Sequence, residues 1–84
     1  MDPESLKQLH TTLQRYAGWL DRERTSATVR ADVLALGTAI DASADPSPLL
    51  LTLDGNIARL PSGEVRKMLR VVARRMRRVI AEPQ

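Results

Sequence analysis

The segment 49-LLLTLDGNIARL-60 decides whether this chain contains a β-sheet or is entirely helical. Residues 49–53 alternate in the period of a strand, and Asp54-Gly55 follows at once, a dipeptide typical of a two-residue hairpin turn. The chain then returns through residues 56–60. The segment therefore predicts a short β-hairpin with strands at about 49–53 and 56–60. A helix that begins near Pro48 is the alternative, because leucine is a good helix former.

The N-terminal half of the chain carries the apolar spacing of two helices, with residues recurring at intervals of three and four. Asp2-Pro3 is typical of a helix start, with Asp2 as the N-cap, and the first helix is predicted over about 3–24. The second is predicted over about 26–42, with Thr25-Ser26 as its cap or as a joint. The apolar stripe of the first helix does not continue in phase, which predicts a break near 24–26.

The C-terminal segment 65-VRKMLRVVARRMRRV-79 predicts an amphipathic helix over about 62–81, with Ser62 as its N-cap. A loop at 43–48, which contains two prolines, separates it and the hairpin from the first two helices. On a helical wheel the cations cover about half of the circumference, opposite an apolar stripe. No acid lies between residues 65 and 81. The cations are Arg66, Lys67, Arg70, Arg74, Arg75, Arg77 and Arg78.

These elements predict a single α+β domain that is mostly α: two N-terminal helices, a short β-hairpin and a basic C-terminal helix. The 84 residues include no Phe, so the core is expected to be thin and aliphatic. Thin cores often gain stability by pairing, and a homodimer is predicted. Tyr16 and Trp19 are more typical of core positions than of interface anchors. The predicted interface is the stripe of the first helix: Leu6, Leu9, Leu13, Tyr16, Trp19 and Leu20.

Several kinds of catalytic and metal site are not expected. The chain has no Cys, which excludes disulfides, thiolate metal sites and a cysteine nucleophile. His10 is the single histidine and has no nucleophile at a recognisable spacing, so a half-buried packing histidine or a surface histidine is predicted. The acids are too sparse for a calcium or zinc site, and Gly55 and Gly63 lack the Gly-Lys-Ser/Thr of a phosphate loop. We expect no enzyme activity, no cofactor, no metal and no small-molecule substrate.

The sequence also predicts a cytoplasmic protein with no membrane association. The N-terminus, 1-MDPESLKQLH-10, opens with two acids and has no apolar region typical of a signal peptide. The longest apolar runs, such as 49–51, are far shorter than the roughly 20 residues of a membrane span.

The basic helix is the main indication of function. Residues 1–45 carry five Lys/Arg and seven acids, whereas residues 46–84 carry eight Lys/Arg and three acids. Nucleic acid phosphates would neutralise such a face. Carboxylates of the same chain or of a partner copy, an anionic membrane surface, and plain solvation are the alternatives. A solvated face more often includes Glu, and membrane-surface helices favour bulky aromatics. No aromatic residue lies among the cations, so stacking on single-stranded bases is not expected.

A helix-turn-helix is a further interpretation of 57-IARLPSGEVRKML-69, with Ser62 starting a recognition helix. The glycine of the usual turn is displaced here by a residue. Asp54-Gly55 would also break the first helix. We therefore disfavour this interpretation.

The stretch 49-LLLTLDGNIARLPSGEVRKMLRVVARRM-76 resembles a segment of excisionase-family antitoxins and related prokaryotic regulators. The resemblance implies an Asp-Gly hairpin, a Leu-Pro step and a Leu/Val-rich helix. It also implies the N-terminal oligomerisation part of a longer regulator, or a relative without the helix-turn-helix, because no Leu-Thr-Thr-x-x-Ala-Ala-like motif follows before Gln84. The matching residues are Asp54, Gly55, Leu60, Pro61, Val65, Leu69, Val72 and Met76.

Taken together, these features predict a dimeric regulatory protein of a prokaryote, phage or plasmid that binds DNA phosphates through its C-terminal basic helix. The alternative is a protein-interaction or oligomerisation module that does not bind nucleic acid. Such a module would be a domain of a larger regulator or a small phage inhibitor.

Overall fold

A computed structural model describes residues 3–82, and four α-helices occupy most of that range. No strand occurs within residues 3–82. The mostly helical character predicted from the sequence is confirmed, and the β-hairpin of the predicted α+β fold is wrong. The helices are α1 (Pro3–Ala17), α2 (Arg24–Asp41), α3 (Ser47–Ile57) and α4 (Glu64–Ala81).

The predicted hairpin at 49–60 is replaced by α3 because this segment buries its apolar side chains in the period of a helix. A strand would bury every second residue, whereas here the spacings are three and four. Pro48 lies in the first turn, where a backbone N–H is not needed. Gly55 lies within the helix and does not have the positive φ of an Asp-Gly hairpin turn. The fully buried residues of this segment are Leu50, Leu53 and Ile57.

The boundaries of the other helices differ from the predicted ones by up to seven residues. The first helix ends at Ala17 rather than near residue 24, and the break lies at 18–23 rather than at 24–26. Thr25 and Ser26 are therefore inside α2, where the Ser26 side chain is buried. The N-cap of α4 is Gly63 and not Ser62. The predicted cap Asp2 lies outside the described residues.

The helices form an antiparallel bundle in which each helix packs against two neighbours. α1 and α3 both contact α2 and α4, so α2 and α4 lie on a diagonal and do not contact each other. Short connections of five or six residues join the helices in sequence. The described part of the chain measures 38 × 20 × 19 Å, an elongated shape with the helices along its length.

The two halves of the bundle repeat the same local structure with an offset of 40 residues. After α1, Gly18 N donates to Gln14 O and Leu20 N to Ala17 O, at 3.1 and 3.2 Å. After α3 the same pattern recurs 40 residues later, with Leu60 N donating to Ile57 O at 3.0 Å. The bundle therefore consists of two similar helical hairpins. Identical residues at this offset are Leu9/Leu49, Thr12/Thr52, Leu13/Leu53, Leu20/Leu60, Arg30/Arg70 and Ile40/Ile80.

The core is aliphatic, as the composition predicts. Tyr16 is half-buried, but Trp19 is 58% exposed, so a core position for Trp19 is wrong. His10 is half-buried and its Nε2 donates to Val33 O at 2.8 Å, which confirms a packing role. The buried apolar residues are Leu6, Leu13, Ala17, Val29, Val33, Leu36, Ile40, Leu50, Leu53, Ile57, Leu60, Leu69, Val72, Ala73 and Met76.

Among residues 3–82, no helix combines the length and the apolar character that crossing a bilayer requires.

Candidate nucleic-acid interface

Helix α4 has one apolar face and one cationic face. The apolar face closes the bundle against α1 and α3, and its central residues are at most 5% exposed. Because the buried residues recur at spacings of three and four, the cations are left on the flanks and on the outer side of the helix. The buried residues are Leu69, Val72, Ala73 and Met76.

Two of the seven predicted cations are bound within the chain. Arg77 donates to Oδ2 of Asp54 on α3 at 2.8 Å. Arg66 is half-buried and donates to the carbonyl of Leu60 at 3.2 Å and to Oγ of Ser62 at 3.3 Å. Both arginines lie on the side of α4 that faces α3. Arg77 therefore ties α4 to α3, and Arg66 ties α4 to the connection that precedes it.

The other five cations are exposed and have no hydrogen-bond or ion-pair partner within residues 3–82. One of them, Arg75, faces a groove between α4 and α1. The remaining four cover the solvent-facing side of α4, with Lys67 also at the edge of the groove, and we call them the outer basic stripe. The first and the last of them are eleven positions apart, or about 16 Å along the helix. The outer basic stripe consists of Lys67, Arg70, Arg74 and Arg78.

The placement of the acids leaves this stripe unneutralised. α2, which carries Asp32 and Asp41, lies diagonally across the bundle and does not contact α4. Within residues 3–82 the single salt bridge is the one that joins Asp54 to Arg77. Pairing with acids of the first two helices, one of the alternatives for the basic face, does not occur in the described part of the chain. The role of Asp54 was missed by the sequence prediction, which placed it in a turn.

The predicted interface residues do not form one surface. Leu6 and Leu13 are enclosed in the core of the chain, at 1% and 0% exposure. Leu9, Tyr16 and Leu20 are half-buried against that core. Trp19 is exposed and packs on Tyr16, with ring centroids 5.3 Å apart.

A groove of about 370 Å³ runs between α1 and α4. Its α1 side presents half-buried and polar side chains, and its α4 side presents both charged and apolar ones. Val71, which is 51% exposed, lies in the groove. The groove brings two of the predicted interface residues next to two of the predicted cations. Its lining is Leu9, Thr12, Tyr16, Glu64, Lys67, Met68, Val71, Val72 and Arg75.

The connection between α3 and α4 is not that of a helix-turn-helix. Asp54 pairs with Arg77, and Leu51 and Ala81 line one surface pocket, so the two helices lie side by side along their length. Helix-turn-helix motifs instead cross at about 90–120°. The Asp-Gly hairpin that the excisionase-family resemblance implies is likewise part of α3.

Residues 3–82 contain no group of three or more His, Asp or Glu side chains placed to hold a metal ion. No protein-family model, curated protein or solved structure matches the chain.

Proposed function

We propose that the chain is a small DNA-binding regulatory protein that contacts the phosphate backbone through α4. The observation that supports this proposal is the outer basic stripe, four adjacent cations with no partner within residues 3–82. Such a face is electrostatically costly in isolation, because like charges four residues apart destabilise a helix by a few tenths of a kcal/mol each. A polyanion removes that cost and releases its own condensed counterions.

The chemistry and size of the stripe suit a duplex backbone. Three of its four residues are arginines, whose planar guanidinium groups bind phosphate oxygens with two hydrogen bonds. Its length of about 16 Å corresponds to roughly five base pairs at 3.4 Å per pair. Phosphate contacts carry no sequence information by themselves. We therefore propose that binding depends on the charge and the shape of the duplex and not on its base sequence. The proposed location is the cytoplasm of a prokaryotic or phage-infected cell.

The test is a titration of a short DNA duplex at several salt concentrations. The wild type is expected to bind at low salt, with a slope of log K against log salt of about −0.9 for each phosphate contacted. A variant with glutamine at Lys67, Arg70, Arg74 and Arg78 should lose most of that slope.

A matched control removes four cations elsewhere, with glutamine at Lys7, Arg15, Arg22 and Arg24, which are all exposed. This variant has the same net charge as the first but keeps α4 intact. Equal binding by both variants would contradict the proposal, because binding would then follow net charge alone. No binding by the wild type at low salt would also contradict it.

A protein-binding module is the second candidate, and the exposure of Trp19 supports it. A tryptophan that is 58% exposed and rests on Tyr16 is a suitable anchor for a partner surface. Under this alternative Trp19→Ala abolishes binding to the partner and leaves DNA binding unchanged.

A further inference from the structure

We infer that the groove between α1 and α4 is the interface of a homodimer, in which α4 packs antiparallel to α4 of a second copy. This inference does not depend on nucleic-acid binding. It differs from the interface predicted from the sequence, because Leu6 and Leu13 are enclosed in the core whereas α4 supplies six of the nine residues that line the groove.

Six residues of α4 line the groove. Four of them follow one another at spacings of four, three and four, and we call them the α4 seam: Glu64, Met68, Val71 and Arg75. This is the spacing with which helices pair in coiled coils. The two central residues are apolar, and the two ends carry opposite charges. Val71 is 51% exposed within one chain, although it lies in the middle of the seam.

The charges at the two ends indicate a second copy as the occupant. Glu64 and Arg75 are eleven residues apart, or about 16 Å along the helix, so they cannot pair with each other within one chain. Neither has a hydrogen-bond or ion-pair partner within residues 3–82. In a two-fold dimer both copies contribute the same surface to the interface, so every contact between two different residues occurs twice. Antiparallel pairing centred between Met68 and Val71 therefore places each Glu64 opposite Arg75 of the other copy.

The two-fold axis has a consequence for the outer basic stripe. An axis that relates two antiparallel helices lying side by side runs perpendicular to the plane that contains them. A feature that points along this axis in one copy points the same way in the other. On the surface of α4, the outer basic stripe lies on one side of the α4 seam, and helix α1 packs on the other side of the seam. The dimer therefore presents both stripes on one side, about 8–10 Å apart between helix axes.

The first experiment is a charge swap across the interface, measured as mass against concentration by analytical ultracentrifugation. The wild type should show twice the mass of one chain at high concentration. Glu64→Arg and Arg75→Glu should each weaken the dimer about tenfold or more, because each places like charges opposite one another. The double variant E64R/R75E should restore the wild-type dissociation constant. Single-chain mass for the wild type at every concentration, or no restoration in the double variant, would overturn the inference.

A second experiment does not depend on the first turn of α4, which Glu64→Arg perturbs. Val71→Asp should convert the dimer to a monomer. Leu51→Asp is the matched control, because Leu51 is also an exposed apolar residue, at 67%, but lies away from the groove. Circular dichroism checks that both variants keep their helices. Loss of the dimer in Leu51→Asp but not in Val71→Asp would place the interface elsewhere and overturn the inference.

The dimer and the proposed function are tested separately. A glutamine variant of Arg70, Arg74 and Arg78, the stripe residues that do not line the groove, should remain dimeric while it loses most of its DNA binding. Val71→Asp should become monomeric, and its salt slope in DNA binding should fall to about half, because each monomer carries one stripe. A dimer that does not bind DNA would overturn the proposed function and leave the interface intact.

Discussion

Arg77 of α4 is held by Asp54 of α3 through a hydrogen-bonded ion pair of 2.8 Å, the single salt bridge within residues 3–82. The Arg77 side chain is 54% exposed and that of Asp54 25%, so solvent screens much of their attraction. Exposed ion pairs contribute about 0–1 kcal/mol to stability. We therefore expect the pair to contribute little to folding and mainly to hold Arg77 on the α3 side of α4.

Asp54→Asn should release Arg77 at little cost in stability. We expect a change of less than about 1 kcal/mol in the free energy of unfolding. The slope of DNA binding against salt should become steeper by up to about 0.9, because one more cation can reach a phosphate. Asp41→Asn is the control, since it removes the same charge from an exposed position at the end of α2. A slope that changes equally in both variants would argue against a specific role of the ion pair.

Gly55→Ala distinguishes the helix at 47–57 from the hairpin that the local sequence predicts. A Cβ at this position would meet no atom within 4 Å apart from its chain neighbours and the adjacent backbone of its own helix, and Gly55 does not have positive φ. Alanine is favoured over glycine inside a helix, so the variant should be more stable by about 0.5–1 kcal/mol. In an Asp-Gly hairpin turn the same change would be destabilising. Chemical denaturation measures the sign.

The segment 49–60 shows why this part of the fold was not predictable from local pattern. A run such as LLLTL satisfies both the strand and the helix period, since nearly every position is apolar. The choice depends on which leucines the rest of the bundle covers. Leu50 and Leu53 are buried while Leu51 is 67% exposed, and this pattern appears only once α2 and α4 are in place. A local turn signal was thus overridden by tertiary packing.

The internal repeat is visible in the structure but is weak in the sequence. The offset of 40 residues that relates the two halves aligns Leu13 with Leu53 and Leu20 with Leu60. The offset leaves six identical pairs, which are too few for the sequence alone to identify a repeat or to predict a helix around Leu53. Helix α4 was predicted well because its charge pattern and apolar pattern agree. The partner of Arg77 was not predictable, because Asp54 lies 23 residues away and packing alone brings them together.

Ser43→Gly should stabilise the connection between α2 and α3. Ser43 has a φ of 56°, the left-handed conformation that side chains other than glycine adopt at a cost. Its N–H donates to Ile40 O and that of Ala44 to Ala39 O, a Schellman ending of α2. Glycine should raise the free energy of unfolding by about 0.5–1 kcal/mol, after its greater flexibility in the unfolded chain is included. Ser43→Ala keeps the Cβ and should give no stabilisation, which thermal denaturation can check.

Gly37 and His10 should show strong coupling in a double-mutant cycle. A Cβ at Gly37 would lie 2.5 Å from Cε1 of His10, whose ring is fixed by its bond to Val33 O. Gly37→Ala should therefore destabilise the protein by about 1–3 kcal/mol, although alanine is the better helix former. In a His10→Ala background the same change should stabilise it by about 1 kcal/mol. Denaturant unfolding of the four proteins gives the coupling energy, and additive effects would contradict this packing.

The connection between α1 and α2 contains a carboxylate whose ionisation should contribute to stability. Asp21 Oδ1 accepts hydrogen bonds from Ser26 Oγ at 2.7 Å and from the N–H of Glu23 at 3.1 Å. These two bonds lower the pKa of Asp21 below its ordinary value of 3.8, with the Ser26 bond as the larger cause. Because the pKa of Asp21 is lower in the folded than in the unfolded state, its ionised carboxylate stabilises the folded state. This stabilisation is complete above the pKa of the unfolded state and is lost as the pH falls through the pKa of the folded state.

Ser26→Ala should therefore raise the pKa of Asp21 toward its ordinary value, as measured by NMR titration of the carboxyl carbons. Asp45 is an internal control in the same titration, because its pKa is lowered by the backbone N–H and the side chain of Ser47 and should not change. The stability difference between the wild type and Asp21→Asn should be largest above about pH 5 and should shrink below about pH 4. A stability difference between the two proteins that stays constant from pH 6 to pH 2 would show that the charge of Asp21 does not stabilise the connection between α1 and α2.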